Sequence, residues 1–214
     1  MNAVEEFIIY DNIKFTKKGW INRNRILVEG QDKYITLPLK NDSDYLNINE
    51  RYLADNWNMQ RKKLMNRISQ SYKKAPFFKT VFPLIETIIL FEEKNLFNFL
   101  FNAIKRTKEY LDINTVLSIS SQIPLNHELK AEEKVIGICK AKKASVYINP
   151  VGGLDLYSKS NFKNNNICMQ FLKLAQINYN QFHYPFVPSL SVIDVMMFND
   201  KERIKSFLAA YELI

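Results

Sequence analysis

Two cysteines, two histidines and five glycines in 214 residues leave several kinds of chemistry without their raw material. Cys139 falls in a helical pattern and Cys168 in a strand-like one, far apart and without CxxC spacing, so both read as reduced, buried small hydrophobes. His127 and His183 have neither HExxH nor Cys/His ligand spacing around them, and no zinc site is expected. A GxSxG elbow, a GxGxxG fingerprint and a P-loop are absent too, which removes the common serine-hydrolase, dinucleotide and nucleotide-phosphate signatures. The few glycines and seven prolines form no low-complexity run, which argues against disorder, and no solenoid-period repeat is visible. Long hydrophobic runs are missing as well. The most apolar window, Phe77 to Leu100, is interrupted by Lys79, Pro83, Glu86 and Glu92-Glu93-Lys94, so no membrane span is expected. The opening MNAVEEF carries acids where a secretory signal would carry bases, and a cytoplasmic location follows as the expectation.

What the chain does have is an apolar fraction of 47% and a formal charge of +8. The first fits one domain with a sizeable core. The second favours anionic partners: nucleic acid, acidic headgroups or phosphorylated metabolites. The cations are scattered over several segments, which speaks against a basic nucleic-acid tail.

Hydrophobic periodicity gives the order of elements. Phe7-Ile8-Ile9-Tyr10 reads as a strand covered on both faces, closed by Asp11 and Asn12. Ile26–Val28 and Tyr34–Leu37 flank Glu29-Gly30-Gln31-Asp32 and predict a hairpin. Helices are predicted from Asn56 to about Ala75, from Phe78 to Phe91 and from Asn95 to Leu111. From Asn114 onward, strand 114–119, helix 128–142, strand 145–148, a Gly-Gly turn with a short helix, and strand 167–172 alternate. Such alternation predicts an α/β fold: a Rossmann-like three-layer parallel sheet with helices on both faces and a β-hairpin insertion. Ser189 is expected to cap a helix over 190–198, and a last helix runs from Lys201 to Tyr211.

The densest polar chemistry lies just past the first strand. Lys14, Lys17, Lys18, Arg23 and Arg25 are interleaved with Phe15, Trp20, Asn22 and Asn24. Strand ends are where open α/β sheets bind ligands, and guanidinium forks suit phosphate or carboxylate. The same residues also have a structural reading, with Trp20 as a core or rim aromatic and the asparagines as turn formers. A second, weaker cluster is Asn149-Pro150-Val151-Gly152-Gly153-Leu154-Asp155, a strand running into a turn that offers backbone amides at a sheet edge.

The run FIIYDNIKFTKKGWINRNRI resembles the signature of the WbqC-like family of bacterial surface-polysaccharide gene clusters. SYKKAPFF at 71–78, ICKAKKASVYINPVGGLDLY at 138–157 and FVPSLSVIDVMMFN at 186–199 resemble that family's later blocks, in order. Family members usually begin with a further strand and a Gln-Pro-x-x-x-Pro-x-x-Gly-Tyr loop, which this chain is expected to be without. The resemblance implies a transferase in O-antigen or capsule assembly, with glycyl or other aminoacyl transfer to a nucleotide-linked amino sugar as one form. A nucleotidyltransferase-type α/β domain is an analogy at fold level.

Such a transfer needs an anion clamp, a base and oxyanion donors. Arg23 and Arg25 are candidates for the clamp, Gly152 and Gly153 for backbone donors, and Asp11 or His183 for the base. Trp20 and Tyr157 are candidates to stack on a sugar or base, and Asn22, Asn24, Asn149 and Asp155 complete the candidate substrate contacts. No cofactor is identified by any motif. Two alternatives stay open: a nucleic-acid or tRNA-binding module built on the Arg/Lys/Trp cluster, and a truncated, inactive family member.

Overall fold

The computed structural model describes residues 1–214. In chain order the elements are β1 (Glu6–Ile9), β2 (Arg23–Val28), β3 (Gln31–Thr36), α1 (Trp57–Tyr72), α2 (Phe78–Ile89), α3 (Leu96–Tyr110), β4 (Val116–Ile119), α4 (Ala131–Ala141), β5 (Val146–Pro150), α5 (Lys159–Asn164), β6 (Cys168–Leu174), α6 (Val192–Phe198), α7 (Lys201–Leu208) and β7 (Tyr211–Leu213). They build two compact units from interleaved segments: residues 1–10, 115–177 and 208–214 form one, and residues 11–114 and 178–207 the other.

The first unit carries the parallel strands. β1 pairs with β4, Glu6 opposite Val116 and Ile9 opposite Ile119. β5 pairs with β6, Val146 opposite Cys168 and Pro150 opposite Leu172, and β7 runs antiparallel along β6. Helix α5 lies between the paired strands β5 and β6, as a parallel crossover requires, and α4 lies between β4 and β5 in the chain. The expected α/β class is therefore present. Hydrogen bonding draws it as two separate groups, β1–β4 and β5–β6–β7, and does not itself extend to the single doubly covered sheet of a Rossmann-like fold.

Val135 and Cys139 of α4, Phe162 of α5, Ile167, and Met169 and Phe171 of β6 make the buried cluster of this unit. Strand periodicity explains a correction here. Met169 and Phe171 take the inward face of β6, so Cys168 points the other way and is exposed rather than buried. The residues of β1 are each half-buried, where full cover on both faces was expected. The final helix also stops earlier than its pattern suggested: it ends at Leu208, and Tyr211–Leu213 form β7, which closes the open edge of β6.

The second unit is the hairpin and a set of helices. β2 and β3 pair antiparallel from Arg23–Thr36 to Val28–Gln31. The two turn residues, Glu29 at φ 50° and Gly30 at φ 75°, are both left-handed, the conformation that matches a two-residue hairpin to strand twist. The ring of Tyr184 lies so close to Gly30 that a Cβ there would fall 2.7 Å from Tyr184 Cδ1. Trp57 of α1 meets Phe99 of α3 edge-on at 5.6 Å, within a core that includes Ile68, Val81 and Leu96. The cap of α6 is Ser191, whose hydroxyl accepts from the Ile193 amide at 3.3 Å. Ser189 is left-handed at φ 58°, a backbone conformation that cannot start a helix, and its carbonyl instead accepts from Arg25 Nη2 at 3.0 Å.

Candidate functional site

In the first unit, the chain leaves β1 at Tyr10 and leaves β5 through a 3-10 turn at Val151–Leu156. Tyr10, Tyr147 and Tyr157 all pack on the buried cluster around Phe162. Tyr147 stacks on Phe162 at 5.3 Å, and Tyr157 stands edge-on to both, 6.0 Å from each. The Tyr10 hydroxyl is sealed from solvent and has no hydrogen-bond partner. Burial, helped by the neighbouring Tyr157, pushes its pKa up to about 12, so it is a neutral donor near pH 7. The ammonium of the buried Lys134 lies 5.5 Å from the centre of its ring.

Asn149 is held within this cluster. Its side-chain oxygen accepts from the Tyr147 hydroxyl at 3.3 Å, and its amide nitrogen lies where a Cβ on Gly153 would be. A side chain at Gly153 would displace the Asn149 amide, while Gly152 faces open space. Asp155 is exposed, and Tyr157 is half-buried. Of the sequence candidates, Asn149, Gly153 and Tyr157 are brought together. Sequence reasoning missed Tyr10 and Tyr147 as members. Tyr10 closes the apolar run Phe7–Tyr10, which was the available signal, whereas Tyr147 is the second residue of β5 and carries no such signal. The Cys139 thiol in the same cluster is raised to about 11 by burial and is a protonated apolar filler.

In the second unit, Trp20, Arg23, Arg25 and Tyr34 form one exposed stack at the hairpin. Trp20 is 59% exposed and lies 6.0 Å from Tyr34. The Arg23 guanidinium sits 4.8 Å from the Tyr34 ring and 5.6 Å from Trp20, and that of Arg25 5.4 Å from Trp20. Both arginines donate within the protein, although Arg25 Nε is buried without a partner. Arg23 Nε donates to the Gly19 carbonyl at 2.8 Å and Nη2 to that of Lys18. Arg25 Nη1 pairs with Asp32 at 3.0 Å. Asn22 donates to the Leu37 carbonyl at 2.9 Å, closing the open end of the hairpin, and the Asn24 side chain accepts from the Arg25 amide at 2.8 Å.

Asp11 is 3% exposed, and its carboxylate accepts from the Asn49 side chain at 2.9 Å. His183 is exposed, its ring 4.2 Å from that of Tyr184. The Phe186–Asn199 block contributes a closed network instead of an open site. Asp194, fully buried, accepts from the Tyr72 hydroxyl at 2.8 Å, the Tyr179 hydroxyl at 2.8 Å and Gln181 Nε2 at 2.7 Å. Tyr72 in turn accepts from the Leu27 amide at 2.9 Å, which ties α1 and α6 to the hairpin. Burial raises the Asp194 carboxyl above the usual carboxylate range, against the three donors that pull it down.

The chain is 26% identical over 198 residues to the uncharacterized protein Rv1507c of Mycobacterium tuberculosis, an alignment spanning 90% of this chain and 83% of that protein. No solved structure gives a significant match. The model of the WbqC-like protein family matches residues 1–206, taking in Tyr10, Tyr147 and Tyr157, the hairpin stack and the Asp194 network alike. By that match over nearly its whole length, the chain belongs to the WbqC-like protein family.

Proposed function

We propose that this protein is a cytoplasmic transferase of surface-polysaccharide assembly that acylates the amine of a nucleotide-linked amino sugar, with a glycyl or other aminoacyl group as the one transferred. The observation that carries the reading is the Tyr10 hydroxyl: a neutral, sealed, unpartnered donor among aromatic rings past a strand end, where α/β proteins bind ligands. In the transfer the sugar amine attacks the carbonyl of an activated acyl donor. The C–N bond forms, the amine gives up a proton to a base, and the leaving group departs with the electron pair of the broken acyl bond. Tyr10 would donate to the developing oxyanion, Asn149 would orient an amide or hydroxyl, and Tyr157 would stack on a ring. The Gly152-Gly153 backbone remains a proposed second oxyanion donor. Asp11 and His183, the candidate bases of the sequence, belong to the second unit.

A second reading rests on the hairpin. Trp20 is exposed over two guanidinium groups and a tyrosine, a platform of the sort on which single-stranded nucleic acid stacks, and the net charge of +8 fits a phosphate backbone. On this reading Asn22, Arg23, Asn24 and Arg25 hold the platform in shape.

A thermal-shift series separates the two. Nucleotide-linked amino sugars, free nucleotides and short RNA are added to the wild type, Asn149→Ala and Trp20→Ala. The transferase reading expects an amino-sugar nucleotide to raise the melting temperature of the wild type and Trp20→Ala but not of Asn149→Ala. A shift by RNA alone, lost in Trp20→Ala and steeply weakened by salt, would replace it with the binding-module reading.

A further inference from the structure

Arg51 follows the 3-10 turn at Ile48–Glu50 in the second unit and is 4% exposed. Its backbone is fixed at both ends, the amide donating to the Ile48 carbonyl at 3.2 Å and the carbonyl accepting from the Leu96 amide at 2.8 Å. The guanidinium carbon lies 5.0 Å from the centre of the buried Phe15 ring, so one face rests on an aromatic. Two of its nitrogens, Nε and Nη2, are sealed from solvent without a hydrogen-bond partner. These are the two nitrogens along one edge of the guanidinium, the edge that grips a carboxylate or phosphate through parallel N–H···O bonds.

A buried cationic edge left without acceptors is costly, and a protein keeps one where an acceptor arrives from outside. The nearby charges fit an anion. Asp44, whose carboxyl is lowered chiefly by Lys17 and also by Arg51 and Lys14, is already paired to Lys17 at 2.6 Å. The ammonium of Lys14 lies over Tyr45, 4.6 Å from its ring centre. The hairpin arginines differ in degree: Arg23 engages both nitrogens of this edge, and Arg25 engages Nη2 and leaves only Nε unpartnered, whereas neither nitrogen of the Arg51 edge has an acceptor.

We propose that Arg51 anchors an oxyanion-binding site in this unit, taking a phosphate or carboxylate group of a small metabolite, with Lys14 and Lys17 drawing the anion in. The assignment is independent of the transfer chemistry proposed for the first unit, and its test uses no sugar and no acyl donor.

The test titrates inorganic phosphate, acetate and uridine diphosphate, at constant ionic strength set with chloride, into the wild type, Arg51→Met, Arg51→Lys and Arg23→Met. Binding is read by thermal shift and calorimetry. Phosphate or uridine diphosphate is expected to stabilise the wild type and Arg23→Met. Affinity falls at least tenfold in Arg51→Met and by an intermediate factor in Arg51→Lys, which keeps the charge but lacks the fork. Acetate outranking phosphate would assign the site to carboxylates. If Arg51→Met does not fold, Arg51→Lys alone carries the comparison. The proposal is overturned if none of the anions shifts the wild type beyond chloride, or if the shift survives in both Arg51 variants and disappears in Arg23→Met.

Discussion

Two buried polar clusters of the second unit, one at Asp194 and one at Arg51, obey the same physics with opposite outcomes. Asp194 accepts from Tyr72, Tyr179 and Gln181, and Gln181 in turn bonds the Val187 carbonyl at 3.1 Å and amide at 2.7 Å, so the network closes on itself. Arg51 is as deeply buried and keeps one edge open. A closed network holds elements together, and an open one is poised for a ligand. Both residues are charged types inside a core, so residue type and burial alone would have classed them together. Tyr10 in the first unit belongs with Arg51 by this criterion, since its hydroxyl is sealed and unpartnered.

Removing a member of the closed network should give the largest effect. Asp194→Ala strands two tyrosine hydroxyls and an amide in the core and is expected to destabilise by about 3–5 kcal/mol, a melting-temperature loss on the order of 10 °C. The pH dependence carries a sign. A raised carboxyl pKa means that folding holds the proton, so the contribution of Asp194 is fully present below the unfolded carboxylate range and lost as pH rises through the folded pKa. Denaturation of wild type and variant side by side should show their gap narrowing with rising pH over that window.

The next effect is smaller and tests backbone strain rather than polarity. Gly30→Ala places a side chain at φ 75° and against the Tyr184 ring, and should cost about 1–2 kcal/mol in chemical denaturation. Tyr10→Phe tests the comparison from the other side: deleting an unpartnered hydroxyl should move stability by less than about 0.5 kcal/mol, while under the proposed transferase function amide formation on an amino-sugar nucleotide, followed by mass spectrometry, is expected to fall on the order of a hundredfold. A stability loss of several kcal/mol in Tyr10→Phe would place that hydroxyl among the closed, structural groups.

The smallest effect belongs to the half-exposed pair of Glu6 and Lys142, at 2.6 Å, which ties β1 to the end of α4. Lys142 first, then Ser118, holds the Glu6 carboxyl below its usual range. Its contribution is therefore present above the unfolded glutamate range and lost as pH falls through the folded pKa. Glu6→Gln should lower stability by about 0.5 kcal/mol at pH 7, with the difference shrinking as pH falls through the folded pKa, as read from urea midpoints across the acid range.

Much of the fold was legible because periodicity reports which face is buried. The hairpin, the three long helices and the strands at Val116, Val146 and Cys168 lie close to where their patterns put them. The misses came where tertiary packing overrode a local signal. Tyr211–Leu213 pairs with an open strand edge rather than continuing a helix, and Ser189 yields the cap to Ser191 because its backbone is left-handed. The WbqC-like signature was legible from the sequence, and the family match bears it out. The chemistry within it was less so. The guanidinium forks at Arg23 and Arg25 looked free because sequence shows donors and not the carbonyls that engage them. Arg51 lies between the predicted hairpin and the first predicted long helix, and only burial without a partner singles it out.

The most direct test of the difference between closed and open clusters is thermal denaturation of Asp194→Ala and Arg51→Met beside the wild type in chloride buffer without phosphate. A buried charge lacking partners is replaced by an apolar side chain of similar volume at little loss or some gain, whereas a satisfied network is broken at full cost. Arg51→Met is expected to melt at or above the wild-type temperature and Asp194→Ala to fall on the order of 10 °C below it. Equal, large falls in both variants would contradict this and make Arg51 a structural residue like Asp194.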